Sequence, residues 1–274
     1  MTIQNIRGTC DILPETSYIW EWMEEKARGV FANFHFKEIR TPIFEATELF
    51  SRSIGDTSDI VSKEMYTFAD KKGRSITLRP EGTASVVRAC IQHKLIQPGT
   101  VNKLFYIGPM FRYERPQAGR QRQFHQIGIE IINAGGFLAD VEAILLLRNL
   151  FEAFGINDLK IRINTTCSRA FKPELNALLR EKIKSHVSKL CPDCQERYEK
   201  NVLRIYDCKI PSCKEIIALF PKFRELLNKE DLEYFEKVKQ GLELLGINYE
   251  VDDFLVRGLD YYTRTIFEIY SEKL

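Results

Sequence analysis

The segment Phe111–Glu130 reads FRYERPQAGRQRQFHQIGIE and combines a cluster of arginines with an alternating strand pattern. Four arginines surround a loop that contains proline and glycine: Arg112, Arg115, Arg120 and Arg122. After the loop, isoleucines alternate with Gln126, Gly128 and Glu130, which is typical of a strand with one apolar and one polar face. The segment therefore predicts a long hairpin that carries fixed positive charge at its turn.

The arginine cluster predicts a binding site for a polyanion. Guanidinium groups bind phosphate with two parallel hydrogen bonds and keep their charge. The chain contains neither a P-loop nor the glycine fingerprint of dinucleotide-binding folds, so arginines would have to hold a nucleotide. Gly128 favours a ligand on the polar strand face, because glycine is placed in strands where a ligand or another backbone comes close. A solvated basic loop and a solvated strand face stay open as alternatives.

The composition is that of a globular protein without a global charge bias. The 274 residues are 44% hydrophobic and carry a formal net charge of +2, so any anion recognition has to be local. No apolar run exceeds the five residues of Ala143–Leu147, which is far too short to span a membrane, and the N-terminus lacks the apolar core of a signal peptide. We therefore expect a soluble, cytoplasmic protein.

Hairpins that alternate with helices predict an α+β fold around a largely antiparallel sheet flanked by helices. Apolar residues recur at helical spacing in four segments of the first part of the chain: 14–34, 45–55, 83–95 and 140–156. Further strand patterns occupy 63–70, 75–81, 159–165 and 248–270. Gly73 is expected in the turn between the first two of these strands, and Gly258 within the last.

A helical module is predicted to interrupt this core. Between residues 168 and 246 the composition shifts to lysine, glutamate and leucine at helical spacing. Residues 1–167 would then form the first part of the core. Residues 247–274 would return to it, so the strands on both sides of the module belong together.

Four stretches resemble the motifs of class II aminoacyl-tRNA synthetases of the histidyl type. The opening segment is similar to their second signature motif, and LVRGLDYYTRTIFE, residues 255–268, resembles their histidine-binding motif. SKEMYTFAD with LRPEGTASVVRA and, at residues 35–44, HFKEIRTPIF also match, although His35 stands where glycine is usual. The resemblance covers nearly the whole chain and implies the class II synthetase fold and a histidine–tRNA ligase.

The resemblance assigns an ATP site to the arginine loop. Arg112 and Arg257 would contact the α-phosphate and act in catalysis. Glu114, Arg120 and Phe124 would hold the rest of the nucleotide, with Phe124 beneath the adenine. Mg²⁺ would accompany ATP. The histidine carboxylate would attack the α-phosphorus in line, so the protein has to orient two anions and needs no nucleophile of its own.

The resemblance also assigns a histidine site. Its residues would be Glu81, Gly82, Thr83, Gln126, Glu130, Tyr261 and Tyr262. Glu81, Thr83 and Gln126 would bind the ammonium group. Glu130 and Tyr262 would bind the imidazole. Without the resemblance, a structural explanation is preferred: a helix start for Glu81 and Thr83, an ion pair with Asp260 or a neighbouring acid for Arg257, and an ordinary strand aromatic for Tyr262.

The resemblance implies L-histidine, ATP and tRNA(His) as substrates and a homodimer as the assembly. The alternative is a non-catalytic relative, such as the regulatory subunit of ATP phosphoribosyltransferase, but the complete arginine loop and LVRGLDYY favour the enzyme. The third class II motif and an anticodon-binding domain do not follow residue 274. We therefore expect a catalytic-domain fragment.

Four of the seven cysteines lie within the predicted helical module. Cys191, Cys194, Cys208 and Cys213 form C-x2-C, thirteen further residues and C-x4-C. This spacing is compatible with a structural zinc site of four thiolates. Four unliganded thiols are the preferred interpretation, because members of the family need no zinc for the chemistry.

Overall fold

The chain forms two compact units. The computed structural model describes residues 3–55, 58, 60–117, 119–257 and 261–273. The first unit comprises Met1–Gly135 and Asn149–Gly155, and the second comprises Gly136–Arg148 and Ile156–Leu274. No helix in the described ranges is long and apolar enough to cross a membrane.

The described residues form helices and strands of two to ten residues. The helices are α1 (Pro14–Asn33), α2 (Thr47–Ile54), α3 (Thr83–Gln92), α4 (Phe137–Ala153), α5 (Lys172–Ile183), α6 (Pro192–Lys200), α7 (Pro211–Ile217) and α8 (Lys229–Leu244). The strands are β1 (Lys37–Glu38), β2 (Phe44–Ala46), β3 (Thr67–Ala69), β4 (Ser75–Leu78), β5 (Asn102–Phe111), β6 (Gln123–Ile132), β7 (Leu159–Thr165), β8 (Glu250–Val251) and β9 (Thr265–Ser271). The four helices predicted in the first part of the chain are confirmed, since apolar spacing alone identifies them.

The described residues of the first unit form two sheets of three strands. In one of them, β5 pairs antiparallel with β6 and parallel with β1. In the other, β4 lies between β2 and β3 and pairs antiparallel with both. Both predicted hairpins are confirmed. Gly73 has a φ of +77°, the conformation that the turn between β3 and β4 requires.

The register of the β5–β6 hairpin positions the polar face predicted from the sequence. Tyr106 lies opposite Gly128, and Leu104 lies opposite Glu130. Leu104 packs with Val86 and Cys90 of α3 in a buried cluster. This packing holds α3 against the β5–β6 hairpin and thereby positions the first turn of α3.

Helix α1 ends in a Schellman motif whose left-handed residue is His35. The amide of Phe36 donates to the carbonyl of Phe31 at 2.9 Å, and the amide of His35 donates to that of Ala32 at 3.0 Å. His35 has a φ of +62°, in the region where glycine has the lowest cost. The rings of Phe31 and Phe36, 6.3 Å apart, supply the apolar contact of the motif. This backbone conformation explains why glycine is usual at the position.

In the part of the second unit that the structure describes, β7 pairs antiparallel with β9 and parallel with β8 in one sheet. The strand-like stretch predicted at 248–270 contains two strands, β8 and β9, and is extended over less of its length than the pattern indicates. After Val251, the carboxylate of Asp252 accepts a hydrogen bond of 3.0 Å from the amide of Phe254, and this Asx turn ends β8. Gly258 lies outside the described residues.

Two apolar clusters stabilise the second unit. Ile161 and Ile163 of β7 pack with residues of α4 and α8, including Ile144 and Phe235. A separate cluster joins α5, α6 and α7 and contains Cys194, Cys208 and Cys213. The fold class is α+β, as predicted. Whether residues 168–246 form an insertion stays a prediction.

Candidate active site

Glu81 caps the first turn of α3. Its two carboxylate oxygens accept hydrogen bonds from the amides of Thr83 at 2.6 Å and Ala84 at 2.9 Å. The residue is 4% exposed, and burial raises the pKa of its carboxyl group, although these hydrogen bonds and the charge of Arg112 act in the opposite direction. The structural role considered for Glu81 at a helix start is therefore present. Each carboxylate oxygen retains a second acceptor site for a ligand.

Thr83 joins Glu81 to a second carboxylate. Its hydroxyl donates a hydrogen bond of 2.7 Å to Oε1 of Glu130, while its amide donates to Glu81. Burial raises the pKa of Glu130 to about 7, and the neighbouring charge of Glu81 contributes to the rise. Two carboxylates held close together in a poorly solvated place favour a cationic ligand, because its charge offsets their repulsion.

The ring of Tyr106 lies between two glycines of this region. A Cβ atom on Gly128 would lie 2.3 Å from Cζ of Tyr106, and one on Gly82 would lie 2.2 Å from the same atom. The expectation that Gly128 makes room for a ligand is therefore corrected: the glycine makes room for a tyrosine side chain of the paired strand. Sequence analysis missed Tyr106, which only the register of β5 against β6 could have indicated.

Arg112 follows β5 and lies against Phe124 of β6. Its Nε donates a hydrogen bond of 2.9 Å to the carbonyl of Pro80, directly before Glu81. Its guanidinium carbon is 5.2 Å from the centre of the Phe124 ring. The carbonyl and the ring fix the orientation of the guanidinium, while its remaining N–H groups are suited to an anion.

Two of the other arginines of the loop have partners within the loop. Arg120 forms an ion pair of 3.2 Å with Glu114, and the guanidinium of Arg122 lies 4.3 Å from the centre of the Tyr113 ring. Glu114 and Arg120, both predicted as ATP ligands, thus pair with each other in this structure. Arg115 is exposed.

Gln126 is half-buried on the same strand face as Glu130 and lies opposite Gly108 of β5. The space beside Gly108 is filled by Arg79, whose Nη2 would be 2.6 Å from a Cβ atom there. Arg79 is buried, and it donates hydrogen bonds to the carbonyls of Pro109 at 2.9 Å and Thr41 at 3.0 Å. Sequence analysis also missed Arg79, whose hydrogen bond to Pro109 stabilises β5 next to the position that pairs with Gln126.

The remaining predicted residues lie in the second unit. Arg257 forms an ion pair with Glu268 of β9, so the structural role considered for this arginine is present. It lines a cleft of about 440 Å³ with Arg162, Tyr270 and apolar residues. The rings of Tyr261 and Tyr262 are stacked with their centres 5.1 Å apart. Residues 258–260 of the histidine motif lie outside the described residues.

The fold is that of the catalytic domain of class II aminoacyl-tRNA synthetases. A crystal structure of apo S. aureus histidyl-tRNA synthetase superposes with a TM-score of 0.78 at 41% identity, over 98% of this chain and 61% of that chain. A structure titled ATP phosphoribosyltransferase regulatory subunit/histidyl-tRNA synthetase, from Bacillus halodurans, shares the fold at a TM-score of 0.70 and 22% identity; it covers 100% of this chain and 74% of that chain.

Sequence comparison identifies the family. The family model described as histidyl-tRNA synthetase matches residues 8–274, and the chain belongs to this family. The histidine–tRNA ligase of Halothermothrix orenii is 51% identical over 274 residues, which are 100% of this chain and 65% of the relative. That of Moorella thermoacetica is 50% identical over 263 residues, covering 96% of this chain and 62% of the relative. The chain thus spans less than two thirds of the length of these relatives.

Proposed function

We propose that this chain carries the residues that activate L-histidine with ATP, as the first step of charging tRNA(His). The observation that carries the proposal is the pair of carboxylates formed by the buried Glu81 and the partly buried Glu130, which Thr83 bridges. L-histidine has an ammonium group and an imidazole group, and each of them can place positive charge or an N–H donor against a carboxylate. The two carboxylates are therefore suited to this substrate. Gln126 on the same strand face is assigned to the ammonium group.

Gly82, Tyr261 and Tyr262 complete the proposed histidine site. Gly82 lies between the two residues that bind the ammonium, and its lack of a side chain keeps the Tyr106 ring close to the site. Tyr262 is assigned to the imidazole, and its stacked neighbour Tyr261 limits the directions in which its ring can point.

Arg112 is proposed to bind the α-phosphate. Its hydrogen bond to the Pro80 carbonyl fixes the guanidinium next to Glu81, where the ammonium group of the substrate would lie. A guanidinium oriented in advance stabilises the charge that develops on the phosphate oxygens as the histidine carboxylate attacks and pyrophosphate leaves. Phe124 would then stack on the adenine, and Glu114 with Arg120 would border the nucleotide. ATP would bring Mg²⁺ as its counterion.

Arg257 is proposed to act on the same phosphate. In the unliganded chain it is paired with Glu268, and both side chains are 40% exposed. Because a guanidinium has five N–H donors, Arg257 can contact an anion with those that Glu268 leaves available. The pair is exposed enough that exchanging partners costs little.

The enzyme is favoured over a regulatory relative. Two relatives named histidine–tRNA ligase are 51% and 46% identical to this chain over its whole length. The structure with a regulatory subunit in its title is 22% identical and supports the fold alone.

A homodimer is proposed as the assembly, and the sheet β2–β4–β3 supports it. Phe44 is 56% exposed and Phe68 is 48% exposed. Ala46 and Phe68 both pair with Ile76 of β4, so these residues lie on the same face of the sheet. Phe44 is two positions from Ala46 and therefore lies on that face as well. Such an apolar face is suited to burial against a second copy.

Separate titrations of L-histidine and ATP test the proposed assignments. Glu130→Gln should weaken histidine binding at least tenfold at pH 8 and leave ATP binding nearly unchanged, since only the imidazole loses a charged acceptor. Glu25→Gln, an exposed glutamate of α1, is the matched control. Equal loss of ATP and histidine binding in Glu130→Gln would show that the residue does not read the imidazole.

A further inference from the structure

Four cysteine sulfurs of the second unit converge on one point. The Sγ atoms of Cys191, Cys194, Cys208 and Cys213 all lie within 4.8 Å of one another. The sulfurs of Cys191 and Cys208 are 3.9 Å apart. Three of the four residues are buried and the fourth is partly buried, so solvent does not separate them. A search of the described residues for cysteine, histidine and acidic side chains that could hold a metal ion identifies these four cysteines.

The spacing of the sulfurs fits a single tetrahedral metal ion. A Zn–S bond of about 2.3 Å places the sulfurs of a tetrahedral site about 3.8 Å apart. A disulfide would bring two of them to about 2.05 Å, and all four are free thiols. An iron–sulfur cluster would keep its cysteine sulfurs farther apart, because several metal ions and bridging sulfides lie between them.

Local structure brings the four residues together. Cys191 is the N-cap of α6 and Cys194 lies in the first turn, so C-x2-C places both sulfurs at one helix end. Cys208 follows a 3-10 helix at 202–207, and Cys213 lies in α7. The amide of Cys191 donates a hydrogen bond of 3.1 Å to the sulfur of Cys213. Such backbone N–H groups stabilise thiolates that bind a metal.

We propose that Cys191, Cys194, Cys208 and Cys213 bind one structural zinc ion. The spacing in sequence leaves unliganded thiols open, but thiols that only fill an apolar core have no reason to point at a common centre. The four thiolates leave no open coordination position, which is typical of structural rather than catalytic zinc. Soft thiolate ligands in tetrahedral arrangement select zinc over magnesium or calcium.

The ion would stabilise a segment whose helices are short. The elements between residues 184 and 217 contain six, nine, six and seven residues. Isolated helices of fewer than about 12 residues are marginal in water. Cross-linking 191 to 213 through one ion therefore offsets part of the conformational entropy that ordering this segment costs.

Elemental analysis of the purified chain, kept reduced in metal-free buffer, tests the site. We expect about one zinc per chain in the native protein and in Cys10→Ser, whose cysteine is exposed and remote in sequence. Cys208→Ser should contain none. Absence of zinc from the native chain after incubation with zinc and dialysis would overturn the proposal, as would iron in its place or retention of zinc by Cys208→Ser.

A second measurement covers the case in which Cys208→Ser fails to fold. Zinc is removed from the native chain by a chelator and Co²⁺ is added. The intense visible bands of tetrahedral cobalt thiolate, lost on adding one equivalent of zinc, are expected. Faint bands of octahedral cobalt would contradict the site. Amide hydrogen exchange at 191–213 should increase at least tenfold on chelation while exchange in β5 and β6 stays unchanged; equal exchange with and without the chelator would also contradict it.

Discussion

The hydroxyl of Thr83 donates a hydrogen bond of 2.7 Å to Oε1 of Glu130 and so links the first turn of α3 to the polar face of β6. The two residues are 47 positions apart in sequence. Burial raises the pKa of Glu130 above its usual range, whereas this hydrogen bond favours the ionised form and lowers the pKa. Thr83 thereby acts on the charge of the residue proposed to read the imidazole.

Thr83→Val removes the donor and nearly keeps the volume of the side chain. The pKa of Glu130 should rise further above 7, so histidine affinity should fall severalfold at pH 7. At pH 8 the loss should be smaller but not absent, because Thr83 is also assigned to the ammonium group. Thr83→Ser keeps the hydroxyl and should resemble the native chain. Calorimetric titration of L-histidine from pH 6 to 9 measures the difference. A pH profile identical in the valine and serine variants would exclude this role of the hydroxyl.

Glu130 also gives the folding stability a pH dependence. Burial raises its pKa to about 7 from an ordinary value of 4.5, so between these values the folded chain binds more protons than the unfolded chain. The stabilising contribution is complete below pH 4.5 and is lost as the pH rises through 7. From pH 5 to 7, the native chain should lose up to about 1.4 kcal/mol more unfolding free energy per pH unit than Glu130→Gln. Denaturant unfolding at several pH values checks this, and parallel curves for both chains would contradict it.

Gly128→Ala should destabilise the β5–β6 hairpin. The new methyl group would lie 2.3 Å from Cζ of Tyr106, so the ring has to move, at a cost of about 1–3 kcal/mol. Gly135→Ala is the control, because nothing lies within 4 Å of a Cβ atom there. The double variant Tyr106→Leu, Gly128→Ala should lose less stability than the sum of the single variants. Strict additivity in thermal or denaturant unfolding would rule out the contact.

His35→Gly should stabilise the chain. The left-handed conformation costs a side chain about 1–2 kcal/mol, while glycine loses about 0.5–1 kcal/mol more through chain entropy, so the net gain is about 0.5–1 kcal/mol. His35→Val, with a β-branched side chain, should destabilise. Denaturant midpoints decide the order of the three chains, and a native chain more stable than His35→Gly would refute the strain at this position.

Local patterns predict the elements that carry the proposed site, whereas the roles of its residues rest on the family resemblance. The alternation around Gly128 defines which side chains of β6 share a face, and Thr83 starts a helix that apolar spacing predicts. Tyr106 was not predictable in the same way, because its role depends on pairing across the hairpin and on the direction of its ring. Arg79 is similar, since its partners Thr41 and Pro109 are 38 and 30 positions away.

The limits of the other predictions have the same physical origin. Within the strand-like stretch 248–270, β8 ends at Val251 because the Asp252 carboxylate binds a backbone amide, which the strand propensity of its neighbours does not reveal. The four cysteines have a suitable spacing, but only folding of the 22-position segment from Cys191 to Cys213 brings their sulfurs together. Local patterns thus predict elements, and contacts between distant residues decide which side chains meet.

ATP–pyrophosphate exchange in the presence of each amino acid singly tests the proposed activation of histidine most directly. It is measured on this chain and on this chain joined to the rest of the Halothermothrix orenii sequence. We predict exchange with L-histidine and with no other amino acid, and about a 100- to 1,000-fold slower rate in Arg112→Ala, which loses a donor to the developing charge. Exchange supported by a different amino acid, or none with histidine in either protein, would contradict the proposed function.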